Sequence, residues 1–117
     1  MKILYKNKAV FKETSAQHYK KWKYPQKVKE ALLAAVNFIE NADTLLAVAK
    51  YPPFHFHSLE GDRSGEWGID IGGRKMGYRL VVQPCDDEGS AIKGGDIMAR
   101  CSGIKIIMFL EMTNHYD

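Results

Sequence analysis

The sequence predicts an α+β fold in which N-terminal helices pack on one face of a mainly antiparallel, twisted sheet. Three observations lead there. A long amphipathic helical pattern occupies residues 25–40, two alternating strand patterns meet at Gly72-Gly73, and a wholly apolar run, Ile106 to Leu110, follows near the end. Helices first and strands after is the ordering of α+β domains.

The elements follow in order. Lys2 to Lys6 reads as a short strand, and Lys8 to Trp22 has a mostly helical composition, with Thr14 or Ser15 as a candidate cap. Pro25 suits a first helical turn. Beyond it Val28, Ala31, Leu32, Ala35, Val36 and Ile39 recur at helical spacing, with Lys27, Lys29, Glu30, Asn37 and Glu40 largely on the other side. Asp43 reads as the N-cap of a second helix, Thr44 to Lys50, which Tyr51-Pro52-Pro53 stops. Trp67, Ile69 and Ile71 alternate with Glu66, Gly68 and Asp70. After the Gly72-Gly73 turn, Tyr78, Leu80 and Val82 alternate with Arg79, Val81 and Gln83, which makes a hairpin of half-buried strands. The strand Ile104 to Met112, apolar on both faces over Ile106 to Leu110, belongs inside a sheet. Between the strands, Pro84 to Gly103 reads as a long Asp-, Gly- and Ser-rich loop, with Asp96 to Cys101 as a short strand.

Length and composition bound the function. The 117 residues, 45% of them hydrophobic, suit a single domain spanning 1–117 with a real core. No apolar run reaches the roughly 20 residues of a membrane span, and Met1 to Lys6 lacks the apolar stretch of a signal peptide. The two cysteines, Cys85 and Cys101, form neither a disulfide framework nor a zinc motif. A cytoplasmic protein is therefore expected. The net charge is +3, with lysines crowded into the first quarter of the chain and Asp86, Asp87 and Glu88 clustered apart. A basic half suits phosphates or an acidic partner, although scattered lysines are more commonly a solvated surface.

Several side chains have chemistry to offer. Phe54-His55-Phe56-His57, if extended, turns both histidines to one side and both phenylalanines to the other. Histidine suits proton transfer near neutral pH. The competing readings are surface histidines on a connector and a metal site, against which stands the lack of an obvious ligand set at metal-site spacing. Gly61-Asp62-Arg63-Ser64-Gly65 frames an arginine in a tight turn, a place for a phosphate or an ordinary charged turn. Arg79 lies inside a strand, on the face opposite Tyr78, Leu80 and Val82, where a charge must be paired, solvated or functional. Arg74 and Lys75 add cations at the hairpin tip. Thr113-Asn114-His115-Tyr116-Asp117 ends the chain with groups that handle protons or hydrogen bonds, unless it is a frayed tail. Together these side chains suit RNA cleavage by the RNA's own 2′-hydroxyl. One group takes a proton, another gives one, and cations stabilise the phosphorane without a metal.

The segment Phe56-His57-Ser58-Leu59-Glu60-Gly61-Asp62-Arg63-Ser64-Gly65-Glu66-Trp67 resembles the H-x-L-K-G-D-R-x-G-x-W segment of the HigB-like branch of the RelE/ParE toxins. Tyr78-Arg79-Leu80-Val81 is similar to the Y/W-R-I/L strand that follows it in that family, and Asn114-His115-Tyr116 stands where the family ends in an Asp-Tyr-His or Asn-His-Tyr tail. The resemblance covers the C-terminal half; the N-terminal half agrees in helical layout alone.

It implies a RelE-like fold and the toxin of a type II toxin–antitoxin pair, a ribosome-dependent mRNA endoribonuclease without cofactor or metal. Its partners would be a cognate antitoxin, the ribosome and mRNA. His57, Arg79, His115 and Tyr116 become the candidate catalytic residues, with His57 as acid or base and Arg79 as transition-state stabiliser. Arg63, Arg74, Lys75 and Asn114 become candidates for RNA contact. Glu60 stands where the family commonly has lysine, which implies that Arg74 or Lys75 substitutes or that activity is weak. Two alternatives stay open: a ParE-like, non-enzymatic topoisomerase poison, and a catalytically weak module that binds its antitoxin.

Overall fold

The computed structural model describes residues 1–15 and 24–114. The chain begins with strand β1 (Lys2–Tyr5) and helices α1 (Lys8–Ser15), α2 (Gln26–Asn41) and α3 (Leu45–Ala49). Strands β2 (His57–Ser58), β3 (Trp67–Ile71) and β4 (Tyr78–Cys85) follow, then the short helix α4 (Ile97–Arg100) and strand β5 (Ile106–Asn114). The five strands form one sheet in the order β1-β5-β4-β3-β2. Every pairing is antiparallel except β1 with β5.

The helical pattern after Pro25 becomes α2. Val28, Leu32, Ala35, Val36 and Ile39 are buried along one stripe. They meet Ile69, Ile71, Leu80, Val82, Ile107, Phe109 and Met112 of the sheet in a single apolar cluster. Leu32 and Ile39 have no exposed surface, and burial of each stabilises the fold by about 1.5–3 kcal/mol. The Met1 ammonium donates to the carbonyls of Ile39, Glu40 and Ala42, a cation at the negative end of α2. The mixed α+β expectation, with helices on one face of a largely antiparallel sheet, is met.

Several boundaries differ from expectation. Among the described residues Thr14 and Ser15 are not caps: both lie in the last turn of α1, where their hydroxyls donate to the carbonyls of Val10 and Phe11, and the rest of the expected helical stretch, 16–22, lies outside the described residues. Such back-bonding is how these side chains satisfy themselves inside a helix. The N-cap of α3 is Thr44 rather than Asp43, its Oγ1 accepting from the Leu46 amide at 3.3 Å. Residues 97–101 are helical rather than extended, because the Asp96 carboxylate accepts from the Ala99 amide at 3.2 Å and caps the start of α4. The acidic segment before it is also built. Asp86 Oδ1 accepts from the backbone amides of Glu88 and Ser90, and the side-chain Nε2 of Gln83 donates to the Ile92 carbonyl.

β5 has partners on both sides, as its apolar run predicts. Its register against β4 carries one irregularity. Val81 is opposite Glu111 while Val82 is opposite Phe109, so Leu110 is an extra, bulged residue. Upstream of it, Ile107 and Phe109 face the helices; downstream, Met112 does, and Glu111 and Thr113 turn to the other face.

Candidate functional site on the second face of the sheet

Alternation on the strands places Gly68 and Asp70 of β3, Arg79 and Val81 of β4, and Glu111 and Thr113 of β5 on the face away from α2. Their registers form two rows. One runs from His57 through Gly68 and Val81 to Glu111, the other from Asp70 through Arg79 to Thr113.

The two histidines reach this face by a route other than the extended one expected. Pro52–Phe54 is a single 3-10 turn, and His55 closes it with φ 41° and ψ 52°, the left-handed region that a non-glycine residue seldom occupies. The kink nevertheless sorts the side chains as alternation would. Phe54 is buried in the core and Phe56 stacks on Trp67 with ring centres 4.6 Å apart. The His55 and His57 rings stack on each other at 4.7 Å. His57 Nδ1 lies 2.6 Å from the His55 carbonyl oxygen. A carbonyl only accepts, so Nδ1 carries the proton and Nε2 of the neutral ring presents its lone pair. The ring lies over Gly68, where any Cβ would be 3.2 Å from Nε2.

Asp70, which sequence reading passed over as the polar member of an alternating strand, is 1% exposed. Neither of its carboxylate oxygens accepts a hydrogen bond among the described residues. Among the described residues the basic side chain beside it is His55, with Nδ1 3.6 Å from Oδ2, outside hydrogen-bond range. Arg79 is directly opposite Asp70 in register, yet its Nε donates to Thr113 Oγ1 at 3.3 Å. One ligand atom from each of His55, His57 and Asp70 lies within 4.8 Å of the others. A third side chain with a ligating atom thus stands beside the two histidines from the neighbouring strand. Facing Arg79 across a hairpin was the only sequence signal for Asp70.

Arg63 sits at the end of a 3-10 turn, Gly61–Arg63, in the segment that crosses this face. Its guanidinium is held by two carboxylates, Glu66 at 2.7 Å and Glu111. Its charge is therefore already neutralised, and a phosphate would have to displace them. Arg74 and Lys75 are exposed on the 3-10 turn that closes the β3–β4 hairpin. Asn114 is opposite Tyr78, in the row facing the helices, and so falls on the other side of the sheet from His57 and Arg79. His115 and Tyr116 lie outside the described residues. A hollow of about 600 Å³ between the 58–67 segment and residues 92–97 includes neither His57 nor Arg79.

No protein-family model matches this chain, and no curated protein matches it. No helix among the described residues is long and apolar enough to cross a membrane.

Proposed function

We propose that the protein is a RelE/HigB-like toxin of a type II toxin–antitoxin pair and cuts mRNA on the ribosome by attack of the RNA's 2′-hydroxyl. The observation that carries the reading is the gathering of His57 and Arg79 on one sheet face, in adjacent rows. The H-x-L-x-G-D-R-x-G-x-W resemblance over residues 57–67 adds to it. Helices on one face of a largely antiparallel sheet fit a RelE-like fold.

In this mechanism His57 Nε2 takes the proton from the 2′-hydroxyl. The freed oxygen attacks the adjacent phosphorus, and the bond to the 5′-oxygen breaks. The products are a 2′,3′-cyclic phosphate and a 5′-hydroxyl. Arg79 meets the charge that grows on the phosphorane oxygens. His115 or Tyr116 protonates the leaving oxygen or holds the scissile nucleotide. Arg74 and Lys75, at the hairpin tip, supply backbone contacts in place of the lysine that Glu60 replaces. The partners are an antitoxin, the ribosome and mRNA, in the cytoplasm.

The test is a translation reaction with a defined mRNA in which new 5′ ends are mapped with and without ribosomes. Cuts within codons that need ribosomes and vanish in His57→Ala are expected. No cuts in either condition, from protein shown to be folded, would overturn the reading and favour a non-enzymatic binder.

A further inference from the structure

We infer that His55, His57 and Asp70 form a binding site for a divalent transition metal of the zinc class. The inference does not depend on the nuclease reading, since it concerns the affinity of the chain for a metal ion.

Three independent features converge. First, the donor set is two imidazole nitrogens and one carboxylate oxygen, the set that zinc and its neighbours prefer over magnesium or calcium. Secondly, the atoms are close: all three fall within 4.8 Å of one another. Around a tetrahedral ion with bonds of about 2.0–2.1 Å, ligand atoms sit roughly 3.4 Å apart, so a small contraction suffices. The exposed His55 side chain, 45% accessible, has room to make it. Thirdly, Asp70 is a buried carboxylate whose oxygens have no hydrogen-bond partner among the described residues. A buried, unsatisfied carboxylate is costly and calls for a specific reason. A cation between it and the histidines supplies one.

The surrounding bonds orient the donors. The Nδ1–H of His57 is spent on the His55 carbonyl, which leaves Nε2 as its metal-facing atom and fixes the ring. His55 turns Nδ1 towards Asp70. Beside the left-handed backbone of His55 the two rings stack with centres 4.7 Å apart, which keeps both imidazoles next to Asp70. Three protein ligands leave a fourth position for water or a phosphate oxygen. The alternative is a plain ion pair between protonated His55 and Asp70, which predicts no affinity for metal.

The experiment uses the purified full chain, stripped of metal by a chelator and then dialysed. Zn²⁺ is titrated in competition with a chromophoric zinc indicator, and Co²⁺ is added separately to read the ligand type. The expected result is one ion per chain. Cobalt should give visible d–d bands without thiolate charge transfer, which separates this site from Cys85 or Cys101. His55→Ala changes an exposed side chain and Asp70→Asn is isosteric, so both should keep the far-UV circular dichroism of the parent. Each should weaken binding by at least about tenfold, the order expected when a metal site loses a supporting group. No binding by the folded parent, or binding that both variants retain unchanged, would overturn the inference whatever the outcome of the mRNA assay.

Discussion

The imidazole of His57 rests on the backbone of Gly68: a methyl group there would lie 3.0 Å from its Cε1 and 3.4 Å from the Leu59 side chain. Gly68 is buried in β3. Its role is close approach, since no side chain but hydrogen leaves space for the ring. Gly68→Ala should therefore lift His57 off the sheet. Loss of mRNA cleavage by at least about tenfold is expected, with circular dichroism unchanged, because the base must stay within hydrogen-bond reach of its proton. Full activity in the variant would show that the ring's position over Gly68 is irrelevant.

Arg79 should be the second sensitive position. Arg79→Ala removes the cation proposed to face the phosphorane, and a fall in cleavage of about a hundredfold or more is expected in single-turnover assays. Arg79→Lys should recover little of it, since an ammonium cannot reproduce the planar fork.

Arg63 and Glu111 should behave as a structural pair. Both side chains are more than a third exposed, so their ion pair is screened by solvent. A double-mutant cycle of Arg63→Ala and Glu111→Ala, read by urea denaturation, should give a coupling of about 0.2–1 kcal/mol. A coupling near zero would mean that the contact contributes nothing to stability.

Cys85 should be inert in the native protein. Burial pushes its thiol above the usual range, and the neighbouring Asp86 carboxylate pushes it further in the same direction. A raised thiol pKa means less thiolate at any given pH, and the thiolate is the nucleophile. Iodoacetamide at pH 8 should label Cys85 only after denaturation, as peptide mass mapping will report.

Much of the fold was legible because it rests on periodicity. Val28, Leu32, Val36 and Ile39 wrote α2, and the alternation of Trp67, Ile69 and Ile71 wrote β3. What escaped was set by single hydrogen bonds or by pairing. Asp96 capping Ala99 turned an expected strand into α4, and no periodicity over four residues can announce that. His57 and Arg79 could be chosen on residue type and resemblance, and the register brings them to one face. Asp70 could not, because what marks it is burial without a hydrogen-bond partner among the described residues, beside two histidines that arrive through an unexpected left-handed turn. Asn114 shows the converse: polar and close in sequence to the expected site, it belongs to the row that faces the helices.

The two proposals meet at one atom. If His57 Nε2 is both the base for the 2′-hydroxyl and a metal ligand, zinc and proton transfer compete for the same lone pair. One equivalent of Zn²⁺ should then slow mRNA cleavage by at least about tenfold, and a chelator should restore it, because a coordinated imidazole has no lone pair left to accept a proton. Cleavage unaffected by saturating zinc would separate the two sites.

The bulge at Leu110 makes β5 a strand of two phases. Before it, odd-numbered residues point inward; after it, even-numbered ones do. Remove that one residue and the parity becomes uniform, so the strand must choose. Either Ile107 and Phe109 are turned out towards the site, or Glu111 and Thr113 are driven among the leucines and valines, where a carboxylate is expensive. Core and site are thereby written on the same nine residues in offset frames, and a single irregular residue keeps them from overwriting each other.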